Sequence, residues 1–326
     1  MYPRININLK HLEHNIKYLR SELKNLDEVF VVTKAYSAYK PILDVVYQCG
    51  VRHFADSRSI NLKIIKERFP DVTTMQLRLP MASEIDELIK YADRSLNSEI
   101  ETIRLIDEAC EKANLTHDII LMIDVGDLRE GIMFDSDYKA FVKEILSFKN
   151  INLIGIGTNV TCYGSIIPTK ETLELLVKIK EDIEKEFSIE IPHISGGNSS
   201  SIYLHFENNL PKEITNLRIG DAFISGIEAA YSQLIPNMHD DIFQLEAQII
   251  ELKEKPSYPI GQQGVNAFGE TVEYDDVGIH TRAIVAIGRQ DISQDDLIPL
   301  DDKVKVLGSS SDHLILEINS KEYKIG

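Results

Sequence analysis

Eight short apolar runs, separated by longer amphipathic stretches, organise the first two thirds of this 326-residue chain. In order they are VFVVTK, HFADS, TTMQLRL, RSLNS, IILMIDV, LIGIGTN, HISGGN and LRIGD. A strand with one wet face alternates apolar and polar residues. These runs are nearly continuous, as strands covered on both faces must be. Between them lie helical patterns such as TLELLVKIKEDIEKEF and SEIDELIKYA, the latter opened by Ser83 with Asp86 three residues on as a capping signal. Ahead of the first run, Leu12, Ile16, Leu19 and Leu23 fall on one helical face. Eight strand–helix repeats predict an α/β fold of the (β/α)8 TIM-barrel type. The competing architecture, a doubly wound open sheet, needs a glycine fingerprint after an early strand. The nearest match, Gly155-x-Gly157 on the sixth run, lacks the third glycine.

After about residue 237 the texture changes. FQLEAQIIELKEKP, TRAIVAIGRQDI, DKVKVLG and DHLILEI are β-branched runs split by Gly, Pro and Asp, with no long helical period. A barrel over 8–236 followed by a smaller all-β domain over 237–326 is expected, with RININ in 1–7 able to add a strand. The chain stops at KEYKIG, directly after a strand and turn, which reads as a short C-terminus for such a domain.

A net charge of −17 argues against nucleic acid and an anionic membrane surface as partners, because phosphate binding needs a basic stripe. No apolar stretch reaches the roughly 18 residues of a membrane span. Cys49, Cys110 and Cys162 are widely spaced, with no CxxC pair. They fit a reducing cytoplasm and no metal set.

In such a barrel the chemistry collects where the strands end. Those ends are Lys34, Asp56 with Ser57, Arg78, Asn97 with Ser98, Asp124, Asn159, Ser195 to Asn198, and Arg218. Polar residues end many strands for structural reasons alone. Lys34 follows Val31, Val32 and Thr33, where the strand is expected to be still enclosed. A buried ammonium tends to lose its proton and become a nucleophile for Schiff-base formation; the bland reading is a lysine reaching the rim. SGGNSSS (195–201) and Gly220 lie after the seventh and eighth runs, a frequent phosphate site in barrels, although SGGNSSS also reads as a turn. Arg218 needs an acceptor, and both a pyridine nitrogen and Asp221 qualify.

Taken with HFADSR, YADRSLNSE, MIDVGDLREG, NVTCYG, SGGNSSSIYL, ITNLRIGDAF, LKEKPSYPIG, AIGRQD and SSDHLI, this order of residues resembles the alanine racemase-like, fold type III pyridoxal 5′-phosphate (PLP) enzymes. The likeness is strongest to their ornithine racemase-like branch and covers essentially the whole chain. It implies a PLP-dependent amino-acid racemase, cytoplasmic and homodimeric, with ornithine as substrate. Lys34 matches the PLP lysine, and Arg218 the arginine facing the pyridine nitrogen. Ser199 and Gly220 match phosphate-loop positions, and Asn198 and Asp221 join the cofactor-binding residues. Arg129 matches an arginine near the cofactor phenolate and the substrate carboxylate. Asn159 stands where the wider family has a histidine near the ring. PLP acts as an electron sink, and an arginine at the ring nitrogen keeps that nitrogen unprotonated, which favours return of the proton to Cα. Lys34 can serve one face of the planar intermediate. For the other face the family uses a tyrosine in an IGY motif, whereas this chain has Arg289 in AIGRQD. Asp312 and His313 in SSDHL are the candidates for the missing acid/base. An ornithine side-chain ammonium has Asp127, Glu130 or an acid of the β domain to meet.

Three relatives compete. The decarboxylases of the same fold need a β-domain cysteine, and D-threonine aldolases a late His and Cys metal pair; the last cysteine here is Cys162. A PLP-binding homeostasis protein without turnover has a single barrel and no β domain. Alanine and lysine are the alternative substrates.

Overall fold

The eight runs become eight parallel strands: Glu28–Val32, His53–Asp56, Thr73–Gln76, Arg94–Asn97, His117–Asp124, Ile151–Gly157, His193–Ser195 and Asn216–Ile219. Each pairs with its neighbours, the fourth pairs with the fifth, and the eighth with the first, so the sheet closes and has no edge. Closure excludes the open doubly wound sheet. The structure, a computed structural model, describes residues 1–326 as two units, Asn8–Ile242 and Met1–Ile7 with Phe243–Gly326.

Inside the barrel, Phe30, Val32, Ala55, Met75, Leu96, Ile120 and Met122 pack together. Gly155 and Gly157 belong to this packing and bind no dinucleotide: a Cβ on Gly157 would lie 3.0 Å from Ser195 Cβ and 3.2 Å from Ile120 Cγ2. Outside, the amphipathic helices cover the other strand face. In Leu9–Glu22, capped by Asn8, the residues Leu12, Ile16 and Leu19 are buried, as is Leu23 just beyond it. Each stabilises the fold by roughly 1.5–3 kcal/mol relative to exposure. The Ser83 capping expectation is corrected. Ser83 lies within a 3-10 turn, Ala82–Glu84, and the α-helix Ile85–Tyr91 starts after it with no side-chain cap.

The first unit runs past 236 because residues 237–242 are clamped to its opening helix. Asn15, fully buried, bonds both backbone groups of His239, at 2.7 and 2.8 Å, and Asn8 N donates to Ile242 O at 2.8 Å. In the other unit Arg4–Ile7 pairs antiparallel with Phe243–Glu246. Ile249–Pro256, Ile279–Val285, Leu314–Ile318 and Val304–Ser309 form a four-stranded antiparallel sheet. The run FQLEAQIIELKEKP is therefore two strands in two sheets. No helix is long and apolar enough to cross a membrane.

Candidate active site

A cavity of about 580 Å³ opens at the C-terminal ends of the barrel strands, within the range that holds small ligands and cofactors. Lys34, Arg129, Asn159, Asn198, Ser199, Arg218, Gly220 and Asp221 all line it, with Ser57 and Arg78. Other strand-end residues do structural work instead. Asp56 accepts from Thr33, Asn61 and the Arg58 amide; Asp124 caps the Gly126 and Leu128 amides; Asn97 bonds Ser95.

Lys34 differs from its sequence reading. The strand ends at Val32, and Lys34 opens a 3-10 turn, Lys34–Tyr36, exposed at the mouth. Enclosure therefore contributes nothing to the case for Lys34, whose place on the first strand end does.

Arg218, on the eighth strand, is 3% exposed. Asp221, the expected acceptor within the protein, is not its partner. Nη1 donates to Ser195 Oγ, and Nη2 donates to Thr158 O at 2.7 Å and Asn159 Oδ1 at 2.6 Å. Burial pulls this guanidinium down to about 10, so it stays charged at neutral pH. Its remaining N–H groups, at Nε and Nη1, are the donors left for a ligand.

The loop VGDLREG brings in Arg129. Ile132–Met133 pairs with Ile123–Asp124, doubling the chain back on the fifth strand. Gly131, at φ +129°, permits this, since a Cβ there would sit 2.5 Å from Asp124 N. Glu130 chelates Arg129 through Nε and Nη2, the latter at 2.7 Å, and accepts from Asn159 Nδ2. Asp127, almost fully buried, is engaged by the amides of Cys162, Tyr163 and Ile166 and is not free to meet a substrate.

On the far side, Asn198 caps the 3-10 turn Ser199–Ser201 and donates to Val160 O at 3.0 Å. Ser199 Oγ accepts from Ala222 N at 3.4 Å, joining the seventh and eighth loops. Gly220 packs tightly on the first strand: a Cβ there would lie 3.0 Å from Val32 Cβ and 3.3 Å from Val32 O. Cys162 also lines the cavity, 3.5 Å from Asn198 Nδ2. The sequence reading assigned Cys162 no site role; its place in NVTCYG, three residues past Asn159, was the available signal.

Lys34, Arg78, Arg129 and Arg218 outnumber the two carboxylates of the lining, Glu130 and Asp221. A chain of net charge −17 thus collects a cationic pocket at this one place, the field an anionic ligand needs. The donor set fits PLP: a loop pair with Ser199 and Gly220 for a phosphate, Lys34 for an aldehyde, and Arg218 with free donors for a ring nitrogen.

Asp312 and His313 stand in the other unit, between Val304–Ser309 and Leu314–Ile318, with His313 Nδ1 2.7 Å from Asp312 Oδ1. Arg289 is held by Glu270 at 2.9 and 3.0 Å and lies over the Phe268 ring. Away from the cavity, His11, His239 and Asp241 lie close enough to be weighed as metal ligands. The two imidazoles, however, are stacked, 3.8 Å apart and 7° from parallel. Their in-plane lone pairs run side by side and do not converge.

Comparisons with known proteins show the family and the fold. A model of the alanine racemase N-terminal domain matches residues 7–226. An ornithine racemase of Acetoanaerobium sticklandii is 44% identical, covering 100% of this chain and 93% of its own. A lysine racemase of Thermotoga maritima is 39% identical, covering 100% and 92%. An alanine racemase of Clostridium difficile, 17% identical, superposes with a TM-score of 0.74 over 100% of this chain and 85% of its own, a likeness of fold.

Proposed function

The chain belongs to the alanine racemase family and is an amino-acid racemase, an isomerase, and from that premise we propose that it racemises ornithine using PLP held on Lys34. The cationic cavity carries this reading. One strand end offers an amine, two loops offer a phosphate cradle, and Arg218 offers unused donors beneath them. When bound, PLP supplies an electron sink for the negative charge at Cα.

The protein's own residues do the rest. Arg218, charged at neutral pH, would keep a proton off the ring nitrogen. Arg129 would receive the substrate carboxylate beside the cofactor. Ser199 and Gly220 would hold the phosphate, with Asn198 and Asp221 among the cofactor-binding residues, and Asn159 would stand near the ring. Lys34 Nζ removes or returns the Cα proton on one face. For the other face the reading assigns His313, with Asp312 holding its Nδ1–H and so leaving Nε2 for the proton. Arg289, in the family tyrosine's place, is engaged by Glu270 and unsuited to the task. A homodimer belongs to the same reading. Ile260, Val265, Val277, Ile279, Ile298 and Leu300 of the C-terminal unit are each at least 66% exposed, apolar side chains that a partner subunit could cover. The three free cysteines fit a reducing cytoplasm.

The choice of ornithine rests on the higher identity to the ornithine enzyme, with lysine as the second reading. Specificity constants for the two substrates on one holoenzyme preparation test it. Ornithine is expected to lead by tenfold or more, about 1.4 kcal/mol in transition-state binding. A preference for lysine reverses the assignment.

A further inference from the structure

Glu130 is bound on two sides. Its carboxylate chelates Arg129 and accepts from Asn159 Nδ2, and Asn159 Oδ1 in turn accepts from Arg218 Nη2 at 2.6 Å. Side-chain exposure falls from 40% at Arg129 to 13% at Glu130, so the carboxylate lies under the cavity rim. An amide bridges a carboxylate and a guanidinium in one orientation. Its NH2 must meet the carboxylate and its carbonyl the guanidinium, since the reverse sets donor against donor and acceptor against acceptor. The Glu130 carboxylate and the Arg218 guanidinium therefore hold Asn159 between them in one orientation. The charge on Glu130 also stands among Lys34, Arg129 and Arg218, whose mutual repulsion it offsets.

We propose that Glu130 is the positioning residue of this pocket: it fixes Arg129 directly and Arg218 through Asn159, and it does not receive the substrate's side chain. Its consequence for the cofactor rests on the PLP reading. The hydrogen-bonded row itself belongs to the protein alone.

Two measurements test it. In protein freed of cofactor and labelled with 15N-arginine, Glu130→Gln should shift the Nε–H resonances of both Arg129 and Arg218. For Arg218, which Glu130 does not touch, the shift should be the same in Glu130→Gln with Asn159→Ala as in Asn159→Ala alone. An Arg218 resonance that stays in place in Glu130→Gln overturns the proposal. In the holoenzyme without substrate, Glu130→Gln should lower the pH midpoint of the bound cofactor's visible band by about one unit, because less negative charge remains to hold a proton at Lys34 Nζ. Glu130→Asp, which keeps the charge and a fold tolerant of it, should restore at least half of that shift. An unchanged midpoint together with a raised KM for ornithine would make Glu130 a substrate contact and defeat the proposal. Absence of any cofactor band in the wild type would instead defeat the PLP reading, while the arginine spectra would still decide the row.

Discussion

The two units of this chain carry their cores differently. The barrel unit seals its strands between an inner cluster around Phe30, Met75 and Ile120 and an outer layer of helices. The C-terminal unit packs a thin layer around Val285, Ile287 and Leu314 and holds more than half of the large apolar side chains left exposed, although it has under a third of the residues. A closed barrel is complete within one chain. The C-terminal unit instead leaves apolar side chains such as Ile260, Ile298 and Leu300 exposed in the segments between its strands. The difference separates two designs: the barrel fixes a cationic pocket by its strand ends, and the β unit leaves much of its apolar side-chain surface outside its own core.

Four substitutions would break or sharpen that division. The largest effect belongs to the barrel. Lys34→Ala should abolish the visible band of bound PLP and lower racemisation by at least ~10³-fold, the scale expected when a covalent catalytic group is lost. A retained band would remove Lys34 from the cofactor site.

The next belongs to the β unit. His313→Asn should keep the cofactor band and cost ~10²–10⁴-fold in interconversion, the range of a lost general acid/base. Lys34 would still exchange the Cα proton of one enantiomer with solvent. Gly288→Ala probes the same loop without touching its chemistry. A Cβ there would lie 2.4 Å from Asp312 N and Ser311 C, and the neighbouring amides of Arg289 and Gln290 bond Ser310 O and Ser311 O. It should displace Asp312 and His313 and copy the His313→Asn pattern. Full activity in both variants would return the second proton transfer to the barrel.

The smallest effect is on stability. Burial brings the imidazole of His117, bonded to Ser95 Oγ at 2.9 Å, down to about 4 from an ordinary 6.5. The unfolded chain then binds this proton more readily than the fold does. Stability from this group is complete above the ordinary value and declines as pH falls from 6.5 toward 4, by at most about 3 kcal/mol. The loss of stability across that window, followed by urea unfolding, should be smaller in His117→Asn, and an unchanged slope would place the loss elsewhere.

How much was legible follows the same division. The strands read clearly because both faces are buried, which leaves continuous apolar runs; the closing pair, eighth to first, then follows from the repeat. The β unit was legible as texture, but the break of FQLEAQIIELKEKP into two sheets was not, because pairing partners such as Arg4–Ile7 lie far away in sequence. Within the site, positions were readable and contacts were not. Arg218 was marked as needing an acceptor, yet Ser195, Thr158 and Asn159 arrive from the sixth and seventh strand ends. Lys34 was taken as enclosed because its run looks unbroken, and a 3-10 turn ends the strand two residues earlier. Glu130 adjoins Arg129 in sequence, but its reach to Asn159 depends on the loop folding back at Gly131.

The account stands most directly on proton exchange at the substrate's α-carbon. PLP-loaded protein incubated with L-ornithine in D2O should incorporate one deuterium at Cα and convert the sample to equal amounts of the two enantiomers, while Lys34→Ala does neither. A cofactor-bearing wild type that leaves L-ornithine, L-lysine and L-alanine undeuterated and unconverted would contradict it.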